Sequence, residues 1–322
     1  MFVENAKKVN NVLNLRNYPK ISKITFSNAF AKFKTFLIQS MHYFFRQSQK
    51  SITQQFISLY CQYFINKVKQ YESDCDKCIV CLKCVDDCPN SYLFLENDEI
   101  HTSQKGCMEC GHCYAICPQG AITMTNYDFI DEEVVLMSEI DSETLLNAMK
   151  SRRTIRKFKP DLVEDEKIEK ILEVGRYSPT GANKQMISYT ILGSKQKEAE
   201  EICLNLFRKG KKFGSVFASY LKRIEIDDDF FFKGAPLVIV VASKSTVDGG
   251  LASSYMEIMA ESLGLGVLYS GFFVMCSKMS CSLKKLLDLE KGYDVVTCMV
   301  IGYPDVKYQR IVPRKELKVK KL

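Results

Sequence analysis

The second half of this 322-residue chain contains no histidine, because His42, His101 and His112 are its only three. A Ser-His-Asp triad or an HExxH zinc helix therefore has neither base nor ligand there. Glycine signatures are missing as well. No GxxxxGK[ST] string occurs, and the pair Gly264 and Gly266 has no third glycine three positions on, so both phosphate-cradling fingerprints fail. No run approaches the roughly 18 uninterrupted apolar residues that a spanning helix needs, so no membrane segment is expected. What is present, 46% apolar and 26% charged residues, fits a globular chain with room for about two domains.

Acid is scarce at the start. Residues 1–70 hold eleven Lys and Arg against Glu4 alone, a charge of +10, which leaves −3 for the rest of a chain whose net charge is +7. This basic N-terminal extension has no zinc-finger spacing, RNP-like string or Gly-rich repeat, so no nucleic-acid partner is expected. Phe30, Phe33, Leu37 and Met41 lie at helical spacing within an amphipathic stretch, residues 27–66. Its Lys-rich, Ser- and Phe-dotted composition is also compatible with a targeting leader.

Cysteine is concentrated instead. Eight of the fourteen fall between residues 78 and 118, in two runs that both read CxxCxxCxxxCP. Thiolates two residues apart in a tight loop come round one side of a small inorganic core, and the local loop cannot close the cage. The spacing is the bacterial ferredoxin signature, in which the fourth cysteine of each run ligates the other cluster. Cys78, Cys81, Cys84 and Cys117 are thus expected to hold one [4Fe–4S] cluster, and Cys107, Cys110, Cys113 and Cys88 the other. Pro89 and Pro118 turn the chain away after each crossed ligand. Zinc takes four ligands and leaves a paired set of eight unexplained. Cys75 extends the first run to four equally spaced thiols, but only Cys78, Cys81 and Cys84 reproduce the second run, so Cys75 reads as a spare thiol. His112, between two expected ligands, reads as an exposed loop residue. Residues 71–125 resemble the two-cluster bacterial ferredoxins. Such clusters move single electrons and belong in a reducing compartment: the cytoplasm, or an organelle of an anaerobe if residues 1–70 are a leader.

A linker is expected at 126–140, rich in acid and free of cysteine. Asp141 or Ser142 is placed to cap a helix through LLNAMKSRR, with Glu143 in its first turn. VEDEKIEKILEVGRYS, with Ile168, Ile171 and Leu172 at helical spacing, reads as an amphipathic helix. APLVIVVAS and DVVTCMVIGY read as buried strands, and GLASSYMEIMAESLGLG as a helix suited to a core or a subunit interface. Cys61, Cys203, Cys276, Cys281 and Cys298 have no partner spacing. Cys298 reads as a small core residue, Cys276 and Cys281 as packing residues with a cofactor's neighbourhood as the alternative. Phe230, Phe231 and Phe232 read as core or dimer contact rather than a substrate channel.

Two strings carry chemistry. In SRRTIRKF, residues 151–158, the guanidinium forks of Arg152, Arg153 and Arg156 suit a phosphate. In YSPTGANKQ, residues 177–185, the amides of Asn183 and Gln185 both donate and accept, as a heteroaromatic edge requires. With a helix between them, these strings resemble the opening of the nitroreductase family of flavoproteins over residues 141–320. GLGVLYSGFF, residues 264–273, and GYPDVKYQRIVPRK continue the likeness. Met186 and Ile187 replace that family's usual Pro and Trp, and Thr154 its commoner Ser.

The resemblance implies an α+β fold, a ferredoxin-like domain followed by a nitroreductase-like α+β sandwich over 141–322, dimeric, with FMN at the subunit interface. It implies Arg152, Arg153, Thr154, Arg156, Arg314 and Lys315 at the phosphate and neighbouring polar groups. Asn183 and Gln185 fall at the ring or ribityl chain, and Pro179, Thr180 and Gly271 along the cofactor. The two halves together imply an oxidoreductase that takes electrons from a redox protein or NAD(P)H, through two [4Fe–4S] clusters and FMN, to a nitroaromatic, quinone or similar small acceptor. The alternatives are an electron carrier with a vestigial flavin domain and a reductive dehalogenase.

Overall fold

The computed structural model describes residues 72–103, 106–125, 127, 139–212 and 225–322. The extension 1–70 with its amphipathic stretch, Cys61, and the expected linker apart from Tyr127, Glu139 and Ile140 lie outside these residues.

The cysteine-rich region is built from short pieces, as its many ligand positions require. Helix α1 (Lys83–Asp86) and helix α2 (His112–Ile116) each begin inside a cysteine run, after a left-handed residue, Leu82 at φ 62° and Gly111 at φ 75°. Between them, strands β1 (Leu93–Glu96) and β2 (Glu99–Thr102) form an antiparallel hairpin whose turn residues Asn97 and Asp98 both have positive φ. Asn and Asp tolerate that region better than other side chains. Asp74 N–H donates to Ala121 C=O at 2.8 Å, which ties the beginning of the region to its end. His112 is the first residue of α2 rather than part of a loop, and its Nδ1 lies 3.3 Å from Asp87 Oδ2.

Helix α3 (Ser142–Ser151) starts where expected, with Asp141 as its cap: Asp141 Oδ2 accepts from Thr144 N–H at 2.8 Å. Helix α4 (Asp165–Arg176) buries Ile171 completely. The central sheet contains β3 (Ile187–Ile191), β4 (Leu237–Ser243), β5 (Gly266–Tyr269) and β6 (Asp294–Gly302), in the spatial order β3-β4-β6-β5 with every neighbouring pair antiparallel. The two apolar runs predicted as strands are its middle pair.

Successive side chains of a strand point to opposite faces, and β4 feeds two cores in this way. Leu237, Ile239 and Val241 pack with Met256 and Ala260 of helix α6 (Thr246–Ser262) and Ile171 of α4. Val238 and Val240 pack with residues of helix α5 (Gln196–Lys212), helix α7 (Gly271–Met279) and helix α8 (Cys281–Leu286) on the other face. Phe230, Phe231, Phe232 and Cys298 belong to this second core, as does Cys276, while Cys281 is exposed. The layering is the sandwich expected from the α+β reading. Helix α6 begins four residues before the expected GLASSY string, because Ser245 Oγ accepts from Asp248 N–H at 3.2 Å. It ends at Ser262, short of the expected Gly266, where Gly264 takes φ +78° and closes the last turn.

Candidate cofactor sites

The eight cysteines of the two runs are all free thiols and none is fully buried. Positive φ at Val80, Leu82, Glu109 and Gly111 folds the chain back between successive thiols. Backbone N–H groups point at sulfurs in both runs, among them Tyr92 N–H at Cys88 (3.2 Å), Glu109 N–H at Cys107 (3.3 Å) and Ala121 N–H at Cys117 (3.3 Å). Such bonds favour thiolate and tune a cluster's potential.

Burial and neighbouring thiols raise Cys84, Cys107 and Cys113. Burial, and then the charges of Cys78, Cys117 and Cys81, raises the Cys84 thiol above its ordinary range. Burial, and then Cys110 and Cys88, does the same to Cys107. Cys113 is pushed up to about 11 by burial together with Cys107 and Cys110. Cys117 is thus among the thiols that act on Cys84, and Cys88 among those that act on Cys107. Thiolates so gathered repel one another, and a cationic core that ligates them removes the repulsion. Among the described residues no three Cys, His, Asp or Glu are placed to share one metal ion. Thiolate sulfur is the donor that an iron–sulfur cluster takes. Cys75 is exposed.

The arginine string leaves α3 at Ser151 and runs beside β5. Ile155 N–H donates to Val267 C=O at 3.1 Å, Lys159 N–H to Tyr303 C=O at 2.8 Å, and Asp305 N–H to Lys157 C=O at 3.0 Å. This backbone fixes the points from which Arg153, Thr154 and Arg156 project. None of these three side chains has a hydrogen bond or ion pair among the described residues, and Arg156 is exposed. Arg152 differs. Its Nη1 donates to Glu257 Oε1 of α6 at 2.6 Å, with 28% of the Arg152 side chain and 12% of the Glu257 side chain exposed. Tyr269 OH donates to Ser253 C=O at 2.9 Å and lies 3.4 Å from Glu257 Oε2, so the Arg152 partner is itself held in place. Sequence reasoning missed Glu257 and Tyr269; no local signal marks a carboxylate 105 residues away.

The turn 177–185 is tightly wound. Asn183 N–H donates to Thr180 C=O at 3.0 Å, Gln185 N–H to Thr180 Oγ1 at 3.1 Å, and Gly181 N–H faces both carboxylate oxygens of buried Asp248 at 3.4 Å. Pro179 is exposed and Thr180 half-buried. The two side-chain amides reach the cysteine-rich region. Asn183 Nδ2 donates to the Glu109 carbonyl at 2.6 Å, and Gln185 Nε2 to Tyr127 OH at 3.0 Å. Gly271 is exposed at the first position of α7, with open space where a Cβ would stand. Arg314 and Lys315 lie on an exposed tail beyond β6, and no hydrogen bond or ion pair joins them to the 152–156 string among the described residues. Among the described residues no helix is long and apolar enough to cross a membrane.

Comparison with known proteins covers both regions. The Nitroreductase family model matches residues 149–303, and a 4Fe-4S dicluster domain model matches residues 70–118. A 4-nitrobenzoate reductase of Pseudomonas putida is 22% identical over 191 residues, covering 48% of this chain and 83% of that protein. An NADPH-dependent oxidoreductase of Staphylococcus haemolyticus is 24% identical over 174 residues, covering 51% of this chain and 66% of that protein. An FMN-dependent nitroreductase from Clostridium difficile aligns in structure with 24% identity over 56% of this chain and 100% of its own, at a TM-score of 0.45.

Proposed function

We propose that this chain, which joins a 4Fe-4S dicluster domain to a nitroreductase-family domain, is an iron–sulfur flavoprotein oxidoreductase. It takes single electrons from a redox protein or NAD(P)H through two [4Fe–4S] clusters and delivers them, by way of FMN, to a nitroaromatic, quinone or similar small acceptor. The observation that supports this reading is the match of a 4Fe-4S dicluster domain model to residues 70–118 and of the Nitroreductase family model to residues 149–303 of one chain, with the side chains of Arg153 and Arg156 unengaged among the described residues.

Cys78, Cys81, Cys84 and Cys117 hold one cluster, and Cys107, Cys110, Cys113 and Cys88 the other. FMN, when bound, takes electrons singly and releases them in pairs. Arg153 and Arg156 offer planar forks to its phosphate, and Thr154 adds a hydroxyl. Arg152 keeps Nε and Nη2 for the same group while Glu257 engages Nη1. Arg314 and Lys315 bring further positive charge from the tail, in a homodimer whose second subunit completes the site. Asn183 and Gln185 offer their remaining amide atoms to the ring or ribityl chain, with Pro179, Thr180 and Gly271 along its edge. For a nitro acceptor, two electrons and two protons from solvent give the nitroso compound and one water. The physiological setting is a reducing compartment such as the cytoplasm.

Anaerobic purification with iron, sulfide and FMN counted per chain tests the cofactor content; about eight irons and one FMN are expected. Stopped-flow mixing of the reduced, FMN-loaded protein with 4-nitrobenzoate tests the activity. Clusters that stay reduced in the presence of the acceptor would leave an electron carrier and remove the enzyme.

A further inference from the structure

The two cysteine runs are identical in spacing but not in surroundings. Glu109, between Cys107 and Cys110, is gripped from three sides. Its N–H donates to Cys107 Sγ at 3.3 Å, and its carbonyl accepts from Asn183 Nδ2 at 2.6 Å and from Tyr127 OH at 3.4 Å. Gln185 Nε2 donates to that same Tyr127 hydroxyl at 3.0 Å. The result is a continuous connection from a cluster ligand, through one residue, to both amides of the 177–185 turn. Among the described residues, no hydrogen bond or ion pair of the first run, residues 78–89, reaches residues 139–322.

The backbone is left-handed on both sides of this contact, as it is at Val80 (φ 50°), the position of the first run that matches Glu109. Glu109 (φ 55°), Ala182 (φ 52°), Asn183 (φ 50°) and Gln185 (φ 51°) all occupy the left-handed region on the two sides of the contact. Asn tolerates this region best, whereas Glu, Ala and Gln pay a steric penalty that persists only where surrounding contacts over-determine the conformation. The left-handed turn at Glu109 directs its N–H to sulfur and its carbonyl outward, and the turn at 182–185 directs two amides to meet it.

We infer that Asn183, Gln185, Tyr127 and the Glu109 backbone form a clasp that seats the Cys107–Cys113 loop on the flavin-side turn. The cluster held by Cys107, Cys110, Cys113 and Cys88 is then the one from which electrons leave for the flavin. The cluster of Cys78, Cys81, Cys84 and Cys117 is the entry end, where Cys81 and, at 60%, Ile79 are exposed to an incoming donor. This assignment rests on the oxidoreductase reading above. In each transfer the exit cluster loses one electron and the flavin side gains one, and the entry cluster re-reduces the exit cluster. Asn183, Gln185 and Tyr127 act as positioning residues, since they set the distance without carrying the electron.

Cys81→Ser and Cys113→Ser each remove a ligand from one set, and EPR of the dithionite-reduced protein identifies the surviving cluster. The reduced, FMN-loaded variants are mixed with 4-nitrobenzoate and the surviving signal is followed by freeze-quench. Cys81→Ser is expected to lose its signal within about threefold of the wild-type rate, and Cys113→Ser at least tenfold more slowly. Equal rates, or the reverse order, overturn the assignment while the oxidoreductase reading stands; a persistent signal in the wild type overturns that reading itself. Hydrogen exchange supplies a second measurement that does not depend on either serine variant assembling. In Tyr127→Phe/Asn183→Leu, amides of residues 106–111 are expected to exchange at least tenfold faster, while those of 78–84 stay unchanged. No change at 106–111, or an equal rise at 78–84, overturns the clasp.

Discussion

Arg152 Nη1 and Glu257 Oε1 meet at 2.6 Å across the gap between the end of one helix and the middle of another. The pair is largely shielded, so removing the guanidinium leaves a carboxylate with little water, beside Glu261, whose own carboxyl is raised by burial and by Glu257. Arg152→Met should destabilise the FMN-free protein by about 2 kcal/mol, less than the 3–5 kcal/mol of a fully buried pair. That corresponds to a fall of about 4–8 °C in Tm for a domain of this size. Calorimetry of FMN-stripped protein measures it; an unchanged Tm would show that the pair contributes only to the bound state.

Arg153 and Arg156 make no internal ion pair among the described residues, so their value should appear in ligand binding alone. A hydrogen bond to a charged group contributes about 1.5–3 kcal/mol. Arg153→Ala and Arg156→Ala should each weaken FMN about tenfold to a hundredfold by titration, with unfolding of the FMN-free protein within about 0.5 kcal/mol of wild type. Arg153→Lys should recover only part of the loss, because an ammonium lacks the planar fork.

Gly266 positions the same string from behind. A Cβ there would overlap Ile155 Cγ1 and stand 2.9 Å from Ile155 Cβ and 3.0 Å from Pro304 Cγ. Branched Ile155 has little room to yield, so Gly266→Ala must push residues 152–156 away from β5. A cost of about 1–3 kcal/mol is expected from the overlap. FMN affinity should also fall at least threefold, because the string that carries Arg153 and Arg156 is displaced. Normal affinity in a correctly folded variant would uncouple the string from the strand.

Glu200 is buried and accepts from Phe231 N–H at 2.8 Å and Phe232 N–H at 3.3 Å. Burial outweighs these bonds and lifts its carboxyl to about 7. The folded state therefore holds a proton that the unfolded chain releases near its ordinary value of 4.5. Stability from this group is complete below that value and is lost as pH rises toward 7, by on the order of 2–3 kcal/mol. Denaturant titrations between pH 5.5 and 8 should show this slope in wild type and a flatter profile in Glu200→Gln. Parallel profiles would remove Glu200 as the source.

The amino-acid sequence alone determined what depends on near neighbours. Thiol spacing set the ligand loops, β-branched runs set the two central strands, and Asp141 set the start of α3, since each signal acts within a few residues. It also placed Cys298 in the core, as a small apolar residue within a strand-like run, and left Phe231 between core and dimer contact. Only the tertiary structure decided which distant groups meet. Glu257 engages one fork of Arg152, and Asn183 reaches Glu109 from 74 positions away. Those pairings follow from how the sheet and helices stack, and a one-dimensional pattern holds no record of a contact whose two halves are individually ordinary surface residues.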